Sequence, residues 1–390
     1  MPKFLHLEGL RGAAALIVLL CHVQLGFYPN HVNDVFKAMP AHWSGHLNSA
    51  IVWGYAFLLD GRLAVYVFWV LSAYVISIGL FRAAEPRAYL VAAATKRYFR
   101  LAGPCLGAVL FAYLLMKSGL MFSLGLTTDN EWLRSTYDFA PNFLAALKFV
   151  AWNAFFDYQG SPNYNHVLWS IEAEMYGSFF CFAIFGVLGQ SPHRFLIYAL
   201  VPVGLVLLKM TWLLCFFVGF VLCDYDYLPP STTGLLGRLK KVEKMVFSCP
   251  KWSTAIFVGL VIWGKFALHM MGLIADPANL VMAVLIVYLT IRLAPVHAFL
   301  ASRPMAWLGK ISFSLYLIHL PIICSLGSWL FLYGWPTGWV GAIACGVTLV
   351  TSLSVAAIFQ RLIDAPSVQL ANTIGRYFAP RPPIGPSSQD

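Results

Sequence analysis

The sequence predicts an all-α fold, a polytopic transmembrane bundle of about ten helices, on three observations. Of 390 residues, 60% are hydrophobic and only 11% charged, against roughly a quarter charged in a soluble globular domain. The mean hydropathy is +0.73. Apolar runs close to the roughly 20 residues that cross a bilayer recur along nearly the whole length. One transmembrane domain is therefore expected over residues 1–365, followed over 366–390 by a polar, Pro-rich cytoplasmic tail that ends in "RYFAPRPPIGPSSQD".

Spans are expected near 10–27, 63–81, 101–121, 165–188, 195–209, 211–223, 252–272, 279–293, 306–331 and 336–359. The N-terminus holds Glu8 and Arg11 where a signal peptide would be uninterrupted, and no small-residue cleavage site is obvious, so the first span is read as retained. Residues 195–223 read either as a broken hairpin or as one long span. The segment 252–272 carries Lys265 and His269 at i, i+4, a pair that suits a structural or interfacial role. No internal repeat of the transporter kind is present in the sequence.

Charge sets the orientation. Lys and Arg gather in alternate short connections, among them Arg82 to Arg100, Arg194, Arg238 to Lys251, and Arg292 to Arg303, which by the positive-inside rule face the cytoplasm together with both termini. The same pattern accounts for the net charge of +10, and no nucleic-acid partner is expected. The eight cysteines are mostly dispersed in apolar segments without a C-x-x-C pair, so neither a disulfide framework nor a zinc site is indicated. "HWSGH", from His42 to His46, has a metal-like spacing but no companion box among ten histidines, and no metal is expected. "DYD", from Asp224 to Asp226, could serve a nucleotide-sugar enzyme, yet a lone D-x-D beside a helix end is common.

The residues that suggest chemistry lie in the first span. An ionisable side chain in hydrocarbon costs at least a few kcal/mol and generally faces a bundle interior or a watery cavity. Arg11 and His22 are eleven residues apart, three helical turns, so they share a face and lie about 16 Å apart along the axis. Arg11 falls near the cytoplasmic boundary and His22 about half-way across or further. A plainer reading of Arg11 is an interfacial side chain paired with Glu8 at i−3. A buried neutral imidazole can take a proton from an attacking hydroxyl, and a guanidinium fork matches phosphate. In the span 306–331, Ser312, Tyr316 and His319 form a polar stripe at i, i+4 and i+7, and Pro321 frees the carbonyl of Leu317 from its helix bond. That stripe reads equally as a packing and gating helix or as a tunnel wall.

Six segments in order resemble the acyltransferase family 3 proteins, membrane O-acyltransferases that modify sugars, peptidoglycan, Nod factors or macrolides. "LEGLRGAAALIVLLCH" is similar to the family's opening Arg and His, and "LAVYVFWVLSAYVIS" to its second helix with a Ser-Gly-aromatic turn, here Ser72, Ala73 and Tyr74. "KRYFRLAGP" resembles the basic loop before the third helix, with one extra residue before Pro104, and "LWSIEAEMYGSFF" the Trp-Ser-Leu plus Glu segment. "WLGKISFSLYLIHLP" resembles the penultimate helix, and "LIDAPSVQL" the closing acidic-x-Pro segment. The resemblance implies acetyl-coenzyme A, or another acyl-coenzyme A, as cytoplasmic donor, no tightly bound cofactor, and an acceptor hydroxyl on a carbohydrate, glycolipid or glycosylated small molecule. It implies a multi-pass protein of the bacterial inner membrane. Carried over by position, it points to His22 and Glu174 as catalytic, to Arg11, Arg97 and Arg100 for the donor, and to Ser72, Tyr74, Trp169, Ser170, Tyr316 and His319 along the substrate pathway. Glu174 is placed to orient His22 if their helices pack together, and His22 acts as general base or transient acyl carrier. The competing class is a transporter or proton-coupled pathway, in which the same intramembrane charges serve without bond making. Thioester consumption discriminates the two.

Overall fold

A computed structural model describes residues 4–27, 59–126, 131–158, 162–189, 191–229, 232–247, 259, 275–333 and 340–378. Among them every regular element is helical. The longer helices are α1 (Leu5–Phe27), α2 (Gly61–Arg82), α3 (Pro86–Lys117), α4 (Trp169–Leu188), α5 (Leu213–Asp226), α6 (Ala275–Arg292), α7 (Arg303–Ile322), α8 (Val340–Phe359) and α9 (Ala365–Phe378). Six helical stretches among the described residues are long and apolar enough to cross a membrane, seven if α6 and the sharply bent helix after it count as one span. The expected count of ten is not reached in these residues. The span expected at 252–272, with Lys265 and His269, lies outside them, as does "HWSGH". The stretch 195–223 resolves into the short helices Arg194–Tyr198 and Val201–Leu207 followed by α5.

Local sequence explains where several helices begin. Asp60 Oδ1 accepts from Leu63 N at 2.8 Å and caps α2. Pro86 opens α3, where a missing N–H costs nothing. Three expectations change. The basic segment from Lys96 to Pro104 is no loop but the middle of the 32-residue α3. Ser72, Ala73 and Tyr74 form no turn but lie inside α2, with Ala73 fully buried against α5 at Gly219. The stretch from 366 continues as helix to Phe378 and packs along α3, where Gly375 approaches Ala92 and Lys96.

The bundle is organised around α1, which packs on α7 and α2, while α2 packs on α5. Contact between α1 and α7 is backbone to backbone: a Cβ on Gly12 would sit 2.5 Å from Gly309 N and 2.7 Å from Leu308 C, and one on Gly309 would strike the Glu8 carbonyl. Further along, Gly26 meets Ile323, so the two helices run parallel. Val18, Leu19, Val70, Leu71, Phe216 and Leu317 fill the space between helices with essentially no exposure.

Two buried charge clusters brace the bundle. Asp224 accepts from Arg194 Nε at 2.6 Å and Nη2 at 3.0 Å, and from Tyr198 at 3.2 Å. Arg292 pairs with both Asp226 and Glu243, and Tyr74 Oη donates to Asp226 at 2.7 Å. Both acidic residues of "DYD" are thus engaged by arginines of the chain itself.

The α1–α7 contact gives the first prediction. Gly12→Val should force the helices apart and cost about 1–3 kcal/mol, the usual penalty of overpacking. Gly204→Val, at a position where an added Cβ meets nothing within 4 Å, is the control. Thermal unfolding in detergent should drop for the first and stay near wild type for the second.

Candidate active site

Five helices converge on one cavity of about 180 Å³ that opens to the outside. Arg11 enters from α1, Phe68, Trp69 and Ser72 from α2, Arg97 and Arg100 from α3, Ser170 and Glu174 from α4, and Ser312, Phe313 and Tyr316 from α7. Arg97 and Arg100, three residues apart, share a face of α3 because one helical turn separates them. The same spacing rule puts Ser170 and Glu174 on one face of α4.

Each arginine of the wall has a carboxylate. Glu174 pairs with Arg97 and also accepts from Ser72 Oγ. Arg100 Nη1 lies 2.7 Å from Asp364 Oδ1, and Arg11 Nη1 lies 3.4 Å from Glu8 Oε1. The wall therefore offers less a surplus of charge than a surplus of donors, since a guanidinium carries five N–H groups. Arg97 Nε is buried with no hydrogen-bond partner among the described residues. The plainer role expected for Arg11, an ion pair with Glu8, coexists with its place in the cavity wall.

Asp364 reaches Arg100 because Gln360–Asp364 forms a π-helical turn between α8 and α9, a feature often found at functional sites. Pro366 follows directly after the π turn, within the continuous helix from α8 to α9.

His22 and His319 stand beyond the cavity. His22 Nδ1 is 2.8 Å from His319 Nε2, with the ring planes 11° apart. Nitrogens that close are nearer than stacked faces come, about 3.5 Å, so the rings meet edge to edge in one plane. Trp132, from the short helix Glu131–Ser135, lies over His22 at 5.4 Å between centroids. His319 has no exposure, whereas His22 keeps some. Tyr316 joins the two regions: it lines the cavity, its hydroxyl lies 2.7 Å from Ser170 Oγ and donates to Val167 O at 2.9 Å, and its ring is 6.0 Å from that of His319.

The structure therefore brings together Arg11, Ser72, Arg97, Arg100, Ser170, Glu174 and Tyr316. It separates four others, His319 among them, which stands beyond the cavity beside His22. Tyr74 belongs to the Asp226 cluster. Trp169 does not line the cavity but packs edge-on against Trp69, which does, at 5.8 Å. His22 takes His319, not Glu174, as its partner. The Leu317 carbonyl freed by Pro321 accepts from Asn165 Nδ2 at 2.7 Å. Asp364, Asn165 and Trp69 were not singled out from sequence; for Asp364 the signal was present, since it is the acidic residue of "LIDAP".

An arginine-lined cavity inside a bundle of apolar, membrane-length helices, with an imidazole pair carried by α1 and α7 beyond it, marks the candidate site of an integral membrane protein. The chain belongs to the acyltransferase 3 family, whose model, described as an acyltransferase domain, matches residues 4–359. It is 23% identical over 464 aligned positions to Acyltransferase clz18 of Cochliobolus lunatus, covering 96% of each chain. No solved structure matches it.

The ion pairs of the wall differ in exposure, and their removal should differ accordingly. Arg97 and Glu174 are 14% and 16% exposed, Arg11 and Glu8 28% and 35%. Glu174→Gln should lower unfolding stability by up to about 3 kcal/mol, the cost of orphaning a buried charge reduced for residual exposure. Glu8→Gln should cost about 0–1 kcal/mol. Comparison of the two in thermal unfolding checks the ranking.

Proposed function

We propose that the protein transfers an acyl group, acetyl in the first instance, from cytoplasmic acyl-coenzyme A to a hydroxyl of a carbohydrate, glycolipid or glycosylated small molecule. The observation that supports this most is the convergence of Arg11, Arg97 and Arg100, from two helices, on one cavity, in a chain of an acyltransferase family. Guanidinium forks suit the phosphates of the donor, and the unpartnered Arg97 Nε adds a donor inside the wall. With its phosphates held there, the donor's thioester arm extends along α1 past Tyr316 and Ser170 toward His22, about 16 Å from Arg11 by helical rise.

At that end His22 removes the proton of the acceptor hydroxyl, whose oxygen forms a bond to the thioester carbonyl carbon as the C–S bond breaks. The departing thiolate takes the proton back from His22. Glu174 holds Arg97 and Ser72 in place and acts through them on the donor. No tightly bound cofactor is invoked. Both termini lie in the cytoplasm in this reading, so the arginines stand at the cytoplasmic mouth and the acceptor arrives from the other face.

Three variants test the assignment in purified protein supplied with acetyl-, butyryl- and palmitoyl-coenzyme A. His22→Ala should reduce transfer by about 10²- to 10⁴-fold, the usual contribution of a positioned base, with donor binding retained. Arg11→Lys and Arg97→Lys, which keep charge but lose the planar fork, should weaken donor binding in calorimetric titration. Unchanged turnover in a folded His22→Ala protein would overturn the base, and unchanged affinity in both arginine variants would overturn the donor site.

Sidedness supplies a further prediction. In sealed vesicles of known orientation, donor confined to the cytoplasmic face should label acceptor confined to the opposite face. Transfer seen only with both substrates on the cytoplasmic side would overturn the through-membrane route.

A further inference from the structure

We infer that His319 is a positioning residue that fixes the tautomer of His22 and shares the proton His22 takes up. This inference rests on the acyltransferase reading for its kinetic consequence, though not for its geometry. The chain of hydrogen bonds has one direction. The Leu315 carbonyl can only accept, so His319 Nδ1, 3.0 Å away, carries a proton and donates it. In a neutral ring His319 Nε2 is then a lone pair, and His22 Nδ1, at 2.8 Å, must be the donor to it. His22 is left with its own lone pair at Nε2, the atom free to receive a proton.

Burial makes this lock hard to replace. His319, Leu315, Leu317, Ile318 and Leu320 have no exposure, so water cannot take over the acceptor role at His319 Nε2. Two parallel helices joined through Gly12 and Gly309 carry the two rings, each ten residues further along, at 22 and 319. The partner of His22 is thus set by the same contact that packs the bundle.

In the reaction the bookkeeping closes without any other reagent. The acceptor O–H gives its proton to His22 Nε2 while its oxygen attacks the acyl carbon, and the imidazolium charge is shared across the His22 Nδ1–H and His319 Nε2 bond. When the C–S bond breaks, the sulfur keeps the bonding pair and recovers the proton from His22 Nε2. Both rings then return to the neutral tautomers they began in. A carboxylate partner would do this with a charge; a neutral imidazole does it in an apolar setting without introducing a buried anion.

Two variants and two readouts test the inference. His319→Gln keeps an acceptor oxygen near the position of Nε2, whereas His319→Leu removes it. Full-length protein labelled with ¹⁵N-histidine in lipid bilayers reports the tautomer by magic-angle-spinning NMR, the His22 signals being those missing from His22→Asn. We expect the Nδ1–H form of His22 in wild type and in His319→Gln, and its loss in His319→Leu. Release of coenzyme A from whichever of acetyl-, butyryl- or palmitoyl-coenzyme A the wild type consumes fastest should fall at least about 10²-fold in His319→Leu with donor affinity unchanged, and by no more than about tenfold in His319→Gln; a wrong catalytic tautomer elsewhere costs about 10⁴-fold. An Nε2–H form of His22 in wild type, or wild-type turnover in His319→Leu, would overturn the inference. Should His319→Leu fail to fold, the wild-type tautomer and the His319→Gln rate decide. If no acyl-coenzyme A is consumed by wild type, the acyltransferase reading falls while the tautomer measurement still decides the pair.

Discussion

The arrangement depends first on how closely α1 and α7 approach. Neither helix could reach the other's backbone with a side chain at Gly12 or Gly309, because Cβ atoms there would collide with main-chain atoms of the neighbour. In hydrocarbon, where lipid tails are as apolar as leucine, small residues at a helix interface gain their advantage from dense van der Waals contact. Here that contact also fixes register. Since the helices run parallel, a match at residues 12 and 309 places residue 22 beside residue 319, and a slip of one residue on either helix would turn an imidazole away by about 100°.

The second constraint is the cost of ionisable groups away from water. Arg97, Arg100, Arg194 and Arg292 each meet a carboxylate, as buried charge requires. The clusters divide the work. The Asp224 and Asp226 clusters spend every carboxylate on an arginine and add tyrosine hydroxyls, which leaves them as braces. The cavity wall is different, because serines, a tyrosine and guanidinium donors face open space there. That contrast distinguishes a site from a brace more reliably than the number of charges.

Much of the wall was legible in the sequence. Arg11, Arg97, Arg100, Ser72, Ser170, Glu174 and Tyr316 stand out as polar residues in apolar surroundings or in ordered motifs, and they share one cavity. What was not legible is partnership across long separations: Arg100 with Asp364 spans 264 positions, Asn165 with Leu317 spans 152, and His22 with His319 spans 297. Periodicity reports which face a residue occupies and nothing of which helix packs on that face, so it could not show that Glu174 pairs with Arg97 while His22 meets His319. Hydropathy also misplaced the start of α3, since Lys96, Arg97 and Arg100 resemble loop residues until the cavity that receives them is known. The same window found the first, second, fourth and penultimate spans closely because their polar residues are too few to lower the average.

The π turn from Gln360 to Asp364 has a bearing on how this chain tolerates change in length. A π turn houses one residue more than an α turn between the same hydrogen-bonded groups, so it behaves as an absorbed insertion, and the side chains before and after it are out of step with a continuous α-helix by about 100°. Asp364 owes its inward aim at Arg100 to that offset. Deleting a single residue from this stretch would let the helix relax to regular winding and swing the carboxylate off the arginine while leaving composition and hydropathy almost untouched. At this point in the chain, spacing matters as much as residue identity, and homologous sequences aligned without regard to it would appear to conserve an acid that no longer reaches its partner.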